Sequence, residues 1–179
     1  ILENYNFKNL DVCDLGCGQG RIPLALYEDF SLNINSYIGV DFSTDAISIA
    51  KSNLLDAPNI EKNSADVIFH NSNIDDYLSN IRDDSLKAVL LIEILYMFPD
   101  PVSLLKKISL KMRAGGILFI SVRSDYYYIL SLINQGLIKN TDIINNYESG
   151  EIYDSGVKFN WTNSKEIKDG SFSKFNFKL

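Results

Sequence analysis

Histidine is nearly missing from this chain: His70 is the only one among 179 residues. Cysteine is almost as scarce, with Cys13 and Cys17 alone. Two thiols four residues apart with no histidine beside them make a poor metal site, so no metal is expected. So few cysteines also argue against a disulfide-stapled secreted domain. No signal peptide is recognisable at the start, and the expected setting is the reduced cytoplasm. Long apolar runs are lacking as well. The longest, such as "AVLLI" at 88–92, fall far short of the roughly 20 residues a membrane helix needs, so no membrane partner is expected. Nor is there a basic run: 17 basic and 23 acidic residues give a net charge of −6, and nothing advertises a nucleic-acid backbone as partner. Internal repeats and low-complexity linkers are absent too.

What is present is ordinary for a soluble globular chain, with 46% hydrophobic residues, and the length suffices for one domain with a sizeable core. The rhythm is a short apolar run, a polar turn and an amphipathic stretch, repeated. "DVCDLG" reads as a buried strand and 21–30 as the helix after it. "SYIGVDF" is a second strand, and Ser43 caps a helix over 44–54. "DVIFHN" is a third strand, followed by a short helix around 75–81. "LKAVLLIEI" is a fourth, whose unbroken apolar run predicts burial on both faces. Pro101 opens a helix to Met112, "AGG" ends it, and "ILFISV" is a fifth strand. Strands alternating with helices predict right-handed crossovers and an α/β, three-layer, doubly wound, mostly parallel sheet. After Val122 the pattern loosens. "SDYYYILSLINQGLI" reads as a helix with three consecutive tyrosines, Trp161 as a helix entry capped by Thr162 or Ser164, and "SFSKFNFKL" as a terminal strand.

One stretch asks for a ligand. "VCDLGCGQGR" puts Gly16, Gly18 and Gly20 between a strand and a helix, with Asp14 in the strand end. Glycine permits unusual dihedrals and close approach of backbone to a ligand, and the helix start offers N–H groups and partial positive charge. The dinucleotide fingerprint G-x-G-x-x-G requires glycine at position 21, where Arg21 stands. No Gly-Lys-Ser/Thr follows, which excludes a P-loop. Asp14 would repel a pyrophosphate but suits a cationic amino group. The plainer alternative is a tight turn with no ligand. Asp41, ending "YIGVD", lies where a carboxylate accepts both hydroxyls of a ribose, although a helix-start Asp is also favoured by the macrodipole.

With these residues in view the chain resembles the class I S-adenosylmethionine-dependent methyltransferases. "VCDLGCGQGR", "YIGVDFSTDAISIAK", "VIFHNSNIDDYL" and "DSLKAVLLIEILYMFPDPVSLLKKISLKMRAGGILFISV" look like the family's successive motifs, over roughly 11–122. The resemblance implies one methyltransferase domain over 1–179, with a cofactor-binding core at 1–122 and a variable substrate-side and C-terminal region at 123–179. Such domains usually end in an antiparallel hairpin, which is expected to be incomplete here or to draw a strand from 140–158. The implied cofactor is S-adenosyl-L-methionine, with S-adenosyl-L-homocysteine as product. Carried over residue by residue, Asp14 and the backbone of Gly16, Cys17 and Gly18 would hold its amino-acid end. Asp41 would take the ribose hydroxyls, Phe42 would lie against the adenine, and Asn73, where the family often has Asp, would border the adenine edge with Ile74. Ile92 and Glu93 would sit near the methionine portion.

The acceptor is less legible. Methyl transfer is an in-line displacement on an already activated carbon, so no triad is required. "IEILYMFPDP" is neither the Asn/Asp-Pro-Pro-aromatic signature of amine methylation nor a Pro-Cys nucleophile. Met97 stands where many small-molecule members have a His, and His70 reads as structural or surface. The catalytic candidates are Glu93, Tyr96 and Arg123, Arg123 as a clamp for a carboxylate or phosphate or as an ordinary surface charge. Tyr126, Tyr127 and Tyr128 wall an acceptor pocket or divide between core and surface. The expected function is methyl transfer to a small-molecule or metabolite acceptor. The alternatives are a module that holds the cofactor without turnover and, less favoured because of Arg21, a nicotinamide oxidoreductase.

Overall fold

The computed structural model describes residues 10–29, 34–57, 66–122, 127, 130, 133–136, 150–154 and 157–161. β1 (Asp11–Leu15), β2 (Ser36–Asp41), β3 (Asp66–Asn71), β4 (Leu86–Ile92) and β5 (Met112–Ser121) form one sheet in the order β3-β2-β1-β4-β5. β1 pairs parallel with β2 and β4, and β2 pairs parallel with β3. α1 (Arg21–Asp29), α2 (Thr44–Asp56), α3 (Ile74–Asn80) and α4 (Pro101–Lys111) supply the crossovers. Successive strands step outward from β1 to β3, then the chain returns to place β4 on β1's other side. That reversal makes the β1/β4 seam the point where an open α/β sheet leaves a crevice beyond its strand ends. The α/β doubly wound expectation holds.

Local chemistry explains each element. β1 is central, and four of its five residues are buried. β4 buries five of its seven, as its unbroken apolar run predicts. The Ser43 side chain accepts from the Ala46 N–H to cap α2, with Asp45 in the first turn favoured by the helix dipole. Asn73 caps α3 in the same way through the Asp75 N–H, with Asp75 and Asp76 behind it. Lys107 on α4 reaches Asp75 on α3 at 2.6 Å, an exposed pair worth under about 1 kcal/mol. The core beneath gathers Val12, Tyr37, Ile47, Ala50, Phe69, Ala88 and Leu90. Tyr37 is completely buried and meets Phe69 edge-on, with ring centroids 6.1 Å apart.

Two expectations are corrected, and of the two alternatives for the C-terminal hairpin the strand drawn from 140–158 is the one met. "AGG" does not separate α4 from β5: α4 ends at Lys111 and β5 begins at Met112, five residues before the predicted strand. Gly116 lies inside it because a Cβ there would stand 2.9 Å from the Arg113 carbonyl and 3.1 Å from that of Lys87, so only glycine admits the approach of β4's backbone. The C-terminal hairpin is present, as β6 (Gly150–Asp154) paired antiparallel with β7 (Val157–Trp161) in its own two-stranded sheet. Trp161 ends this strand, where the sequence reads as a helix entry. The cap at Thr162 or Ser164 and the strand at 171–179 lie outside the described residues, as does most of the tyrosine helix.

By compactness the chain divides into two units, Ile1–Ile92 with Lys107–Phe119, and Glu93–Lys106 with Ile120–Leu179. The first holds β1 to β4 and the glycine loop. The second holds the turn after β4 and the C-terminal hairpin.

Candidate cofactor site

The site begins where β1 stops. Gly16, Gly18 and Gly20 adopt φ of +84°, +52° and +70°, and these left-handed residues turn the chain from β1 into α1. The two later glycines do different things. A Cβ on Gly20 would stand 2.9 Å from the Ala50 Cβ and 3.0 Å from the Phe69 ring, so Gly20 lets the start of α1 pack on the core. A Cβ on Gly18 would meet no protein atom within 4 Å; its conformation alone calls for glycine.

The loop's donors are engaged by the protein itself. The N–H groups of Gly16 and Cys17 both donate to the Val40 carbonyl, at 2.7 and 3.1 Å. The Gly18 N–H donates to Asp41 Oδ2 at 2.9 Å. A phosphate cradle needs those N–H groups turned outward, so this loop is not one. Carbonyls and carboxylates remain, and they suit a cation. Asp14 is the buried carboxylate, 1% exposed at the end of β1. Among the described residues one group donates to it, the Tyr37 hydroxyl, 2.5 Å from Oδ2. Burial pushes its carboxyl up to about 6, against the lowering effect of the Tyr37 bond and helped by the charge of Asp41. A buried carboxylate with one donor has acceptor capacity to spare, which an ammonium group would satisfy.

Asp41 ends β2 and ties the loop together. Besides the Gly18 N–H on Oδ2, its Oδ1 accepts the Ser43 N–H at 2.9 Å. A carboxylate offers about four lone-pair sites, so both oxygens keep room for hydroxyl donors. Asn71 at the end of β3 donates to the carbonyls of Asp41 and Phe42, at 3.1 and 2.9 Å, and accepts from Thr44. The ends of β2 and β3 are thus fastened by a residue that the sequence alone did not single out. Tyr37 is the second such residue. An amide two positions before the family's third-motif acid is a usable signal for the first; a tyrosine inside an apolar strand gives none for the second.

Phe42 presents its ring to solvent, 70% exposed, directly after Asp41. Asn73 is exposed but its Oδ1 caps α3, leaving the side-chain N–H₂ as its outward-facing group. The Ile74 side chain is buried, so only its backbone is available to a ligand. Ile92, at the end of β4, packs partly against the core. Asp14, Gly16, Cys17, Gly18, Asp41, Phe42, Asn73, Ile74 and Ile92 thus all stand in the first unit, on the carboxyl ends of adjacent strands or the loops after them. Burial pushes the Cys13 and Cys17 thiols up to about 12, which removes them as nucleophiles. The described residues hold no group of three His, Cys, Asp or Glu able to bind a metal, and no helix among them is long and apolar enough to cross a membrane.

The other candidates belong to the second unit. Glu93 has φ +56°, uncommon for a non-glycine residue. Its N–H donates to the Ser121 carbonyl at 3.2 Å, and its Oε1 accepts from the Ser121 hydroxyl at 2.6 Å. Tyr96 lies half-buried in the 3-10 turn Leu95–Met97, and Met97 is exposed. Arg123, Tyr126 and Tyr128 lie outside the described residues; Tyr127 is exposed. His70 is exposed with its ring 5.6 Å from that of Tyr77, a surface contact.

Comparison with known proteins identifies the family and the fold. The family described as "Methyltransferase domain" matches residues 6–163. The chain is 20% identical over 171 residues to a ubiquinone biosynthesis O-methyltransferase of Actinobacillus pleuropneumoniae serotype 5b (strain L20), covering 93% of this chain and 69% of the relative. It is 27% identical over 163 residues to the ubiquinone biosynthesis O-methyltransferase of Nitrosomonas europaea, covering 82% and 65%. It thus spans about two thirds of the length of these relatives. A solved SAM-dependent methyltransferase from Methanosarcina mazei shares the fold, with TM-score 0.73, 20% identity and coverage of 99% of this chain and 84% of that one. The chain belongs to the methyltransferase domain family, within the class I S-adenosylmethionine-dependent methyltransferases, whose cofactor is S-adenosyl-L-methionine.

Proposed function

We propose that the chain transfers a methyl group from S-adenosylmethionine to an oxygen of a small-molecule acceptor. The observation that carries the cofactor half is the Asp14 carboxylate, buried at the end of the central strand with one hydroxyl donor. In this reading Asp14, with the carbonyls of the loop around Gly16, Cys17 and Gly18, holds the ammonium of the methionine portion. Asp41 accepts the ribose hydroxyls, Phe42 stacks on the adenine, and the Asn73 amide with the Ile74 backbone borders its edge. Ile92 closes the methionine side, and the chain continues from it into Glu93. The sulfonium supplies an activated methyl carbon. The protein's own work is to fix the cofactor, align the acceptor and exclude water.

The acceptor half rests on two supports. The relatives' names describe O-methyltransferases acting in ubiquinone biosynthesis. The net charge of −6 disfavours a polyanionic acceptor. Glu93 is the first candidate for the acceptor's proton. Its left-handed backbone and its bond from Ser121 hold the carboxylate at the exit of β4. The test is an acceptor screen with labelled S-adenosylmethionine and a panel of small phenols and catechols. Label on oxygen that is lost in Glu93→Gln supports the reading. Cofactor binding with no acceptor labelled favours the module that binds without turnover.

A further inference from the structure

We propose that Tyr37 is a positioning residue for cofactor capture: from the neighbouring strand its hydroxyl holds Asp14 in the ionised state and orientation that receive the cofactor's ammonium. The inference rests on the reading of Asp14 as the ammonium's partner and adds a residue to which the sequence alone assigns no role.

The geometry is specific. Tyr37 lies on β2, where its Cα pairs with Val12, while Asp14 pairs with Gly39. Both side chains are fully enclosed, at 0% and 1% exposure. The ring packs edge-on against Phe69, so the hydroxyl is delivered to Oδ2 by a side chain with no freedom to move away. Among the described residues, every other titratable group facing Asp14 opposes its charge or fails to offset it. Asp41 repels it from the end of β2; Cys13 and Cys17, on its own strand and loop, remain protonated thiols. On the β4 side its pair is Leu90, which offers only a hydrocarbon. No cation among the described residues stabilises the carboxylate, so the Tyr37 hydroxyl is the one group that favours its ionised form. Tyr37 itself stays a donor, because burial and the adjacent Asp14 raise its own ionisation well above the ordinary range.

A tyrosine that merely fills the core would be replaceable by phenylalanine, which keeps the ring and loses only the hydroxyl. The readout is the dissociation constant of S-adenosylhomocysteine, measured by calorimetry from pH 5 to 8.5 on the whole chain, for wild type, Tyr37→Phe and Asp14→Asn. The wild-type midpoint is expected near the Asp14 value of about 6. For Tyr37→Phe the midpoint moves up by about one pH unit, so binding is about threefold weaker at pH 6.5, approaches tenfold weaker at pH 5 and converges on wild type by pH 8.5. Superimposable profiles for Tyr37→Phe and wild type overturn the proposal. If Asp14→Asn binds as tightly as wild type, the underlying reading of Asp14 fails, whatever Tyr37 does. If Asp14→Asn loses binding while Tyr37→Phe matches wild type, only the role of Tyr37 fails. Should Tyr37→Phe not fold, the double variant Tyr37→Phe/Asp14→Asn removes the uncompensated buried charge. Restored folding then supports the proposal, and continued failure makes Tyr37 a packing residue and overturns it.

Discussion

The Gly18 N–H donates to Asp41 Oδ2 at 2.9 Å, joining the loop after β1 to the end of β2 across 23 residues of chain. One carboxylate thus shapes the glycine loop and stands ready for a ligand's hydroxyls. Asp41→Ala is expected to weaken S-adenosylhomocysteine by about 2–3 kcal/mol, roughly thirty- to more than a hundredfold. It should also cost about 1 kcal/mol of stability, because the Gly18 and Ser43 N–H groups lose their acceptor. Titration calorimetry and denaturant unfolding of the same variant measure the two effects. A stable variant with unchanged affinity would remove Asp41 from the site.

Gly18 and Gly20 separate ligand from fold. Gly18→Ala introduces a Cβ that meets no protein atom, at φ +52°, so the strain is about 1–2 kcal/mol and the domain stays folded. If that open space is where the cofactor lies, as proposed, binding of S-adenosylhomocysteine should nevertheless drop sharply. Gly20→Ala combines φ +70° with contacts of 2.9 and 3.0 Å to Ala50 and Phe69 and should lose several kcal/mol of stability. Melting temperatures of the two variants, set beside their affinities, check the contrast. Equal destabilisation would refute it.

Phe42 offers the cleanest test of the adenine position. At 70% exposure its ring contributes little to the core, so Phe42→Ala should change stability by less than about 0.5 kcal/mol. If the ring stacks on adenine, affinity falls by about 1 kcal/mol or more, roughly fivefold upward. A titration showing no loss places the adenine elsewhere.

Asp14 gives the molecule two opposite pH dependences. Its folded value of about 6 lies above the ordinary 3.8, so the native chain binds an extra proton between those values. This group's contribution to stability is therefore fully present below about pH 4 and is lost as pH rises through about 6. Asp14→Asn, which cannot ionise, should be as stable as wild type or more so at pH 7 and should lose that pH dependence. Ligand binding runs the other way, because an ammonium ligand needs the ionised carboxylate, so affinity should decline as pH falls below about 6. Unfolding curves at pH 4, 6 and 8 test the first statement, and titrations at the same values test the second. Wild-type stability independent of pH in this window would contradict the buried, raised carboxyl.

Much of the site could be read from the chain because its residues obey local rules. Glycines with left-handed dihedrals, an acid ending each of two apolar strands, and Ser43 ahead of an amphipathic stretch are signals of one or two turns of chain, and the structure places each as expected. Tyr37 was not legible, and Asn71 left only its place two positions before Asn73 as a signal, because their roles exist only across strands. A tyrosine in "SYIGVD" looks like any β-forming residue until register sets its hydroxyl beside Asp14. The end of α4 was misplaced for a related reason. "AGG" has the composition of a helix stop, but Gly116 is set by the carbonyl of Lys87, a residue 29 positions away on β4. The hairpin Gly150–Trp161 was harder to read because both strands are only five residues long and β6, "GEIYD", lacks period-2 alternation, although "VKFNW" in β7 has it.

The central claim is that a loop with engaged N–H groups, flanked by Asp14 and Asp41, is built for the cation and ribose of S-adenosylmethionine rather than for a pyrophosphate. The most direct test is a calorimetric titration of the chain at pH 7.5 with S-adenosylhomocysteine and, separately, with NAD. The account predicts saturable one-to-one binding of S-adenosylhomocysteine, abolished in Asp14→Asn, and no heat of binding with NAD. Binding of NAD without S-adenosylhomocysteine, or binding of S-adenosylhomocysteine that Asp14→Asn leaves intact, would contradict it.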